Sequence, residues 1–195
     1  KKTVTVALTG LGGDELFGGY RRHRAYALAP VFAKAMPTLV RRPAAKFLAR
    51  LAPTNFGKRA FTYLAHAQDP ARTYGIGAPQ LLFEAERAQL YGPNLALFRN
   101  SAVLAQYFRG AFASGEPFYD QTLKLEMREY LPNDLLERLD RMAMAASVEA
   151  RVPYLDHTFV EYAFSIPSKQ RRFPVFGTRG KPLLEAAARP LLPAQ

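Results

Sequence analysis

The reading of this chain turns on Leu8-Thr9-Gly10-Leu11-Gly12-Gly13-Asp14-Glu15-Leu16-Phe17-Gly18-Gly19-Tyr20. The residues before it, Val4-Thr5-Val6-Ala7-Leu8, are β-branched and apolar, the pattern of a short buried parallel strand. Gly10 to Gly13 then form a turn. Asp14 is placed to cap a helix whose first turn holds two acids, Asp14 and Glu15. Strand, glycine turn and helix start together aim backbone N–H groups at an anionic ligand. Glycines also let a ligand approach the main chain, and Asp14 offers a hard oxygen to Mg²⁺. The same residues read equally as a tight turn with a capping aspartate and no ligand. On the residues alone both readings stand.

Outward from this stretch the chain reads as helical. Segments 14–29, 30–50, 57–68, 79–91 and 94–109 are rich in Ala, Leu, Arg and Phe. Pro30, Pro37, Pro43, Pro53, Pro70, Pro79 and Pro93 divide them into short helices. Beyond Thr122, Leu123, Met127, Tyr130 and Leu131 follow helical spacing. After Pro132-Asn133 a second helix turns Leu135, Leu136, Leu139, Met142, Ala143 and Ala146 to one face. Val152-Pro153 breaks the pattern. Asp156 caps a further helix, with Phe159, Val160, Ala163 and Phe164 inward. A loop from Ile166 to Gly177 leads to Gly180-Lys181-Pro182 and a last helix to about Arg189. No second strand is legible, so the buried-strand pattern predicts a sheet partner outside this chain.

Composition narrows the classes. A hydrophobic share of 49% against 22% charged residues fits a folded domain. The absence of cysteine excludes disulfides, thiolate metal sites and cysteine nucleophiles within these residues. No apolar run approaches the length of a membrane span, and Lys1-Lys2 leads into no secretory signal. A cytoplasmic location fits these features. The net charge of +11 raises nucleic-acid binding as a competing reading. The basic residues, however, come as scattered pairs such as Arg21-Arg22, Arg41-Arg42 and Arg171-Arg172, with no aromatic-interleaved RNA motif. Surplus Arg also suits a protein that handles ATP and pyrophosphate.

Two further strings decide more. One is Tyr130-Leu131-Pro132-Asn133-Asp134-Leu135-Leu136, then Asp140-Arg141-Met142, then Ser147-Val148-Glu149-Ala150-Arg151-Val152-Pro153-Tyr154-Leu155-Asp156-His157. The other is Gly180-Lys181, followed by a helix and Leu192-Pro193. With the opening glycine stretch, these strings resemble, in order, the synthetase domain of the glutamine-dependent asparagine synthetase family. The resemblance is strong over about half the chain, and residues 21 to 120 carry little of it.

The resemblance implies that residues 1–195 are the C-terminal portion of one synthetase domain. The fold would be mostly α with one N-terminal strand, a piece of an α/β adenine-nucleotide α-hydrolase-like (ATP pyrophosphatase) domain. The family uses ATP and Mg²⁺ to adenylate aspartate. Ammonia drawn from glutamine then yields asparagine, AMP and pyrophosphate. The family's glutaminase domain, with its N-terminal cysteine, and its Ser-Gly-Gly-x-Asp-Ser pyrophosphate loop are expected to precede this segment. The isolated segment is therefore expected to be inactive, and a homodimer is compatible with the resemblance. By resemblance Asp14 binds Mg²⁺ and Gly10, Gly12 and Gly13 line the nucleotide. Lys181 is the catalytic lysine that stabilises the adenylation transition state and the leaving pyrophosphate, a task that suits a fixed ammonium.

Asp140, Arg141, Glu149, Arg151 and Asp156 divide between two roles. One is direct contact with substrate. The other is a buried Arg–carboxylate staple that holds two segments together. His157, at a helix start, reads as a surface or capping group. One position departs from the family. Between the first two glycines the family usually has an acid, and the related β-lactam-forming enzymes have a tyrosine that works in proton transfer. Here the residue is Leu11, which can neither move a proton nor hold an ammonium-like group. The departure leaves open an amide ligase with a different amine acceptor. A non-catalytic helical module derived from the family is the alternative of another class.

Overall fold

Strand β1 (Val6–Leu8) runs parallel to β2 (Glu149–Arg151) in a two-stranded sheet, with Val6 opposite Glu149 and Leu8 opposite Arg151. The structure, a computed structural model, describes residues 4–77, 89–95, 102–112, 115–171 and 180–192. The sheet partner therefore lies inside the chain, contrary to expectation. Glu149-Ala150-Arg151 carries no apolar alternation that could announce a strand. Its register is set by the main chain, through Glu149 N–H to Thr5 O at 2.8 Å and Thr9 N–H to Arg151 O at 2.9 Å. The burial read from β1 is also corrected. Val6 is 41% and Leu8 74% exposed, because the described residues place no layer over the strand.

The rest is mostly helical, as expected. Helices α1 (Gly13–Phe17), α2 (Arg21–Ala35), α3 (Thr38–Leu51), α4 (Asn55–His66), α5 (Pro70–Gly77) and α6 (Ala102–Arg109) come first. Helix α7 (Phe118–Leu125) runs into a π-helical stretch (Glu126–Leu136) and on into α8 (Glu137–Ala145). Then come α9 (His157–Ser165), α10 (Ser168–Arg171) and α11 (Pro182–Ala188). The expected helix at 79–91 and the first part of that at 94–109 lie largely outside the described residues, as does the second half of the loop to Gly177, whose described first half holds the short helix α10 where a loop was expected.

Three prolines do not break helices where local propensity says they should. Pro30 and Pro43 sit inside α2 and α3, on exposed positions where the freed carbonyl can turn to water. Pro132 lies within the π-helical stretch. The wider turn accommodates the missing N–H, and the Asn133 side-chain amide donates to Glu129 O at 2.8 Å. On α8 the apolar face is half-buried at best among the described residues, and Met142 is 68% exposed.

The chain divides into two compact units, residues 1–24 with 122–195, and residues 25–121. In the second, Tyr26 is fully buried and meets Tyr63, Tyr74 and Phe118 with ring centroids 5.7 to 6.0 Å apart. Helices α3 and α4 pack on each other there, and the buried Arg41 donates to Met36 O at 3.2 Å. In the first unit, Leu16, Phe17 and Ala163 form the core, flanked by Met127, Tyr154, Phe159, Val160 and Phe164. The apolar face expected of α9 is thus the face that meets α1. Burying these side chains contributes roughly 1.5–3 kcal/mol each, so α1 is fixed by its Leu16 and Phe17 anchors despite being only five residues long.

Candidate functional site

The glycine stretch folds as a turn, a short helix and a second turn. Gly13 N–H bonds to Gly10 O at 3.3 Å, and the Leu11 amide reaches Thr9 Oγ1 at 3.4 Å. Gly12 has φ 92°, and a Cβ there would collide with the Leu155 side chain. Both facts demand glycine. Gly12 is also the N-cap residue of α1. The expected capping role of Asp14 is therefore corrected. Asp14 lies inside the helix, one residue after its start, and its side chain is free for another task.

That task is visible in space. Asp14 Oδ1 lies 3.0 Å from Lys181 Nζ, both side chains about one-third exposed. Lys181 is the N-cap residue of α11, followed by Pro182 at the first helical position, and Glu185 N–H bonds to its carbonyl at 2.8 Å. A methyl group on Gly13 would stand 3.5 Å from the Tyr154 ring and 3.8 Å from Lys181 Nζ, so Gly13 lines the same spot. Gly10 faces open space. Leu11 sits at the tip of the turn, partly buried. The arrangement is a carboxylate and an ammonium side by side beside a glycine turn, a surface suited to a metal–phosphate group.

Behind α1 lies a buried polar set that sequence reading did not single out. Glu126 is 1% exposed, and its two oxygens each lie 2.7 Å from a donor, Arg22 Nε and His23 Nε2. Burial opposes ionisation of Glu126, but its pairing with His23 and with the Arg22 guanidinium outweighs it and holds its pKa below the usual carboxylate range. The Tyr20 amide donates to His23 Nδ1 at 3.3 Å, which leaves Nε2 as the ring donor toward Glu126. The Arg22 guanidinium stacks 4.0 Å from the Tyr20 ring centroid and 4.8 Å from that of Tyr130. Tyr20 in turn donates its hydroxyl to the buried Glu15, at 2.5 Å from Oε1. Burial, with Glu15 beside it, pushes the Tyr20 phenol well above its ordinary value, so it stays a donor. One signal for this set was present in the sequence. Glu126 falls on the Leu123–Met127–Tyr130 face of the helix, an acid inside an apolar stripe.

Arg171 closes the other side of α1. It is 1% exposed, donates through Nη1 to Leu16 O at 3.1 Å and through Nε to Ile166 O at 2.9 Å, and lies against the Phe164 ring. Leu16 O is one of the last carbonyls of α1, which have no partner within the helix.

The remaining sequence candidates are not drawn into this spot. Glu149 and Arg151 pair with each other at 2.8 Å, but as near neighbours on β2, with both side chains more than half exposed. They form an exposed local pair and not the buried staple the sequence reading allowed. Arg141 pairs with Glu137 on the exposed side of α8, and not with Asp140. Asp156 caps α9, accepting from Thr158 N at 3.0 Å and Phe159 N at 3.3 Å. Its pKa is lowered by the Thr158 hydroxyl first and by these amides. His157 opens the same helix and is exposed.

The donor set bears on Mg²⁺. Among the described residues no three acids or histidines gather as a metal cage. Mg²⁺ at a nucleotide characteristically uses one or two carboxylates together with phosphate oxygens and water. Asp14 alone meets that requirement, with the Lys181 ammonium as a competitor for its Oδ1. Among the described residues no helix is long and apolar enough to cross a membrane.

Comparison with known proteins follows the same residues. The family model described as asparagine synthase matches residues 1–195. The chain is 32% identical, over 87% of its length, to asparagine synthetase [glutamine-hydrolyzing] 1 of Bacillus subtilis, and covers 26% of that protein. It is 28% identical over its full length to a putative asparagine synthetase [glutamine-hydrolyzing] of Mycobacterium bovis, and covers 28% of that protein. The chain thus spans about a quarter of the length of these relatives. No solved structure matches it at comparable significance.

Proposed function

The chain belongs to the asparagine synthase family, and from that premise we propose that it supplies part of the ATP-dependent site of an amidotransferase-type ligase. The observation that carries the reading is the meeting of Asp14 with Lys181 at 3.0 Å beside the Gly10–Gly13 turn, across 167 positions of sequence. The reaction proposed has two steps. A carboxylate, aspartate in the family, attacks the α-phosphorus of ATP, and pyrophosphate leaves with the cleaved P–O bond. Ammonia derived from glutamine then attacks the acyl carbon, and AMP leaves as the amide forms, with one proton released.

Within this chain each residue has a task. The Lys181 ammonium faces the oxygens that gain charge as pyrophosphate departs. Its backbone is held by α11 and its side chain by Asp14, so little reorganisation is needed at that moment. Asp14 would hold Mg²⁺, sharing its carboxylate with Lys181, and the ion would supply neutralisation of phosphate charge. Gly10 leaves the main chain open to the nucleotide, and Gly12 and Gly13 keep the turn tight enough to aim it. The Glu126–Arg22–His23 set ties the start of α2 to the π-helical stretch, and Arg171 holds the C-terminal end of α1.

Leu11 favours a second form of the same chemistry. Its apolar side chain stands at the turn where the family usually has an acid, which fits an amine acceptor larger or more apolar than ammonia. The test of the main reading is aspartate-dependent ATP–pyrophosphate exchange in the full-length protein, wild type against Lys181→Ala. The expected loss is at least about a hundredfold, the scale of one preorganised transition-state contact, with substrate affinity changed much less. Exchange within a factor of about three of wild type would remove Lys181 from the site, given that scale.

A further inference from the structure

We infer that Gly19 is a positioning residue, whose missing side chain sets the direction in which the Asp14 carboxylate points. A Cβ built on Gly19 would overlap the Asp14 carboxylate, with Cγ only 2.7 Å and Cβ 3.3 Å away. The three atoms nearest to that Cβ all belong to the Asp14 side chain. Backbone conformation does not explain the glycine. Positive φ occurs among the described glycines at Gly12, Gly18 and Gly115, and Gly19 is not one of them. Alanine at position 19 would therefore suit the main-chain φ and fail first against Asp14.

Neither backbone can step aside. The Asp14 carbonyl accepts both Gly18 N–H at 2.8 Å and Gly19 N–H at 3.0 Å, which locks positions 14 and 19 together across the C-terminus of α1. Gly18, at φ 70°, makes that turn, and the buried Leu16 and Phe17 anchor the helix. The remaining freedom is the Asp14 side chain. A change of χ1 well moves its carboxylate by on the order of 2 Å, enough to break the 3.0 Å contact with Lys181. The two glycine pairs of the motif thus differ in task. Gly12 shapes the entry to α1, whereas Gly19 makes room for the side chain that α1 presents.

This inference rests on the reading that Asp14 and Lys181 act in adenylation, and a double-mutant cycle separates the two. In the full-length protein, Gly19→Ala, Asp14→Ala and the double variant are compared by aspartate-dependent ATP–pyrophosphate exchange, Mg²⁺ half-saturation and thermal midpoint. Gly19→Ala is expected to lower exchange at least tenfold, to raise Mg²⁺ half-saturation and to lower the midpoint. In the Asp14→Ala background the same substitution should change exchange less than twofold and lower the midpoint much less, since the carboxylate is gone and only the Cβ of residue 14, at 3.3 Å, remains nearby. Equal losses in both backgrounds would overturn the inference, as would unchanged exchange and midpoint in Gly19→Ala. If Asp14→Ala itself left exchange intact, the proposed catalytic reading would fall, and the midpoint cycle would still decide the steric coupling. If Gly19→Ala did not fold, recovery of folding in the double variant would support the coupling, and continued failure would overturn it.

Discussion

Replacement of Glu126 by glutamine tests how the start of α2 is held to the π-helical stretch. Glutamine keeps the shape but exchanges one acceptor oxygen for an NH₂ donor. Both groups that face position 126 are donors at 2.7 Å, Arg22 Nε and His23 Nε2. His23 cannot readily turn acceptor, because its Nδ1 already receives the Tyr20 amide. One donor is therefore left against another, in a place where Glu126 and His23 are at most 1% exposed and Arg22 16%. Removing one partner of a buried ion pair costs about 3–5 kcal/mol. Because glutamine retains one good acceptor, the lower end applies, about 3 kcal/mol. For a cooperative unit of roughly 150–250 residues that is a fall in thermal midpoint of about 6–12 °C.

The assay is urea and thermal unfolding of the full-length protein, with hydrogen exchange in α2 and the π-helical stretch to locate the loss. The pH dependence carries a definite sign. Glu126 has a lowered pKa in the folded state. Its contribution is fully present above the unfolded carboxylate pKa, about 4.3, and is lost as pH falls through the folded value. The gap between wild type and Glu126→Gln should be constant from neutral pH down to that range and shrink below it. A loss under about 1 kcal/mol that does not vary with pH would refute the reasoning, because a buried pair cannot be that cheap to break.

Leu11→Glu, assayed with ammonia and with a panel of bulkier amines, should preserve or raise amide formation if ammonia is the true acceptor. It should lower activity with a larger, apolar acceptor, since burying the new charge is costly; indifference to every amine would show that position 11 does not face the acceptor. Thr158→Val should raise the Asp156 titration midpoint, measured by carboxyl NMR, because the Thr158 hydroxyl is the largest of the groups that lower it. Since Asp156 is depressed, its support of α9 is present above the unfolded aspartate pKa and fades as pH falls through the folded one. An unmoved midpoint would mean that the backbone amides alone set it.

The sequence by itself determined the family, the mostly helical content, the glycine turn and the inward face of α9. Each of these is local, written in a contiguous string or in a 3.6-residue period. It also named Asp14 and Lys181 as members of one site, though only through resemblance. What it could not decide were the features that depend on two distant segments at once. Glu149-Ala150-Arg151 becomes a strand because Thr5 and Thr9 offer it main-chain partners, and main-chain bonds leave no trace in side-chain pattern. Pro132 stays within a helical stretch because the wider π turn leaves room for its ring and its missing N–H. Asp14 loses the capping role that its position in the string implied, because Gly12 starts the helix and Lys181 arrives from the other end of the chain. Glu126 stands in an apolar helical stripe, but its partners Arg22 and His23 lie more than a hundred positions away, and only the fold that removes all three from water together shows how the acid can be buried.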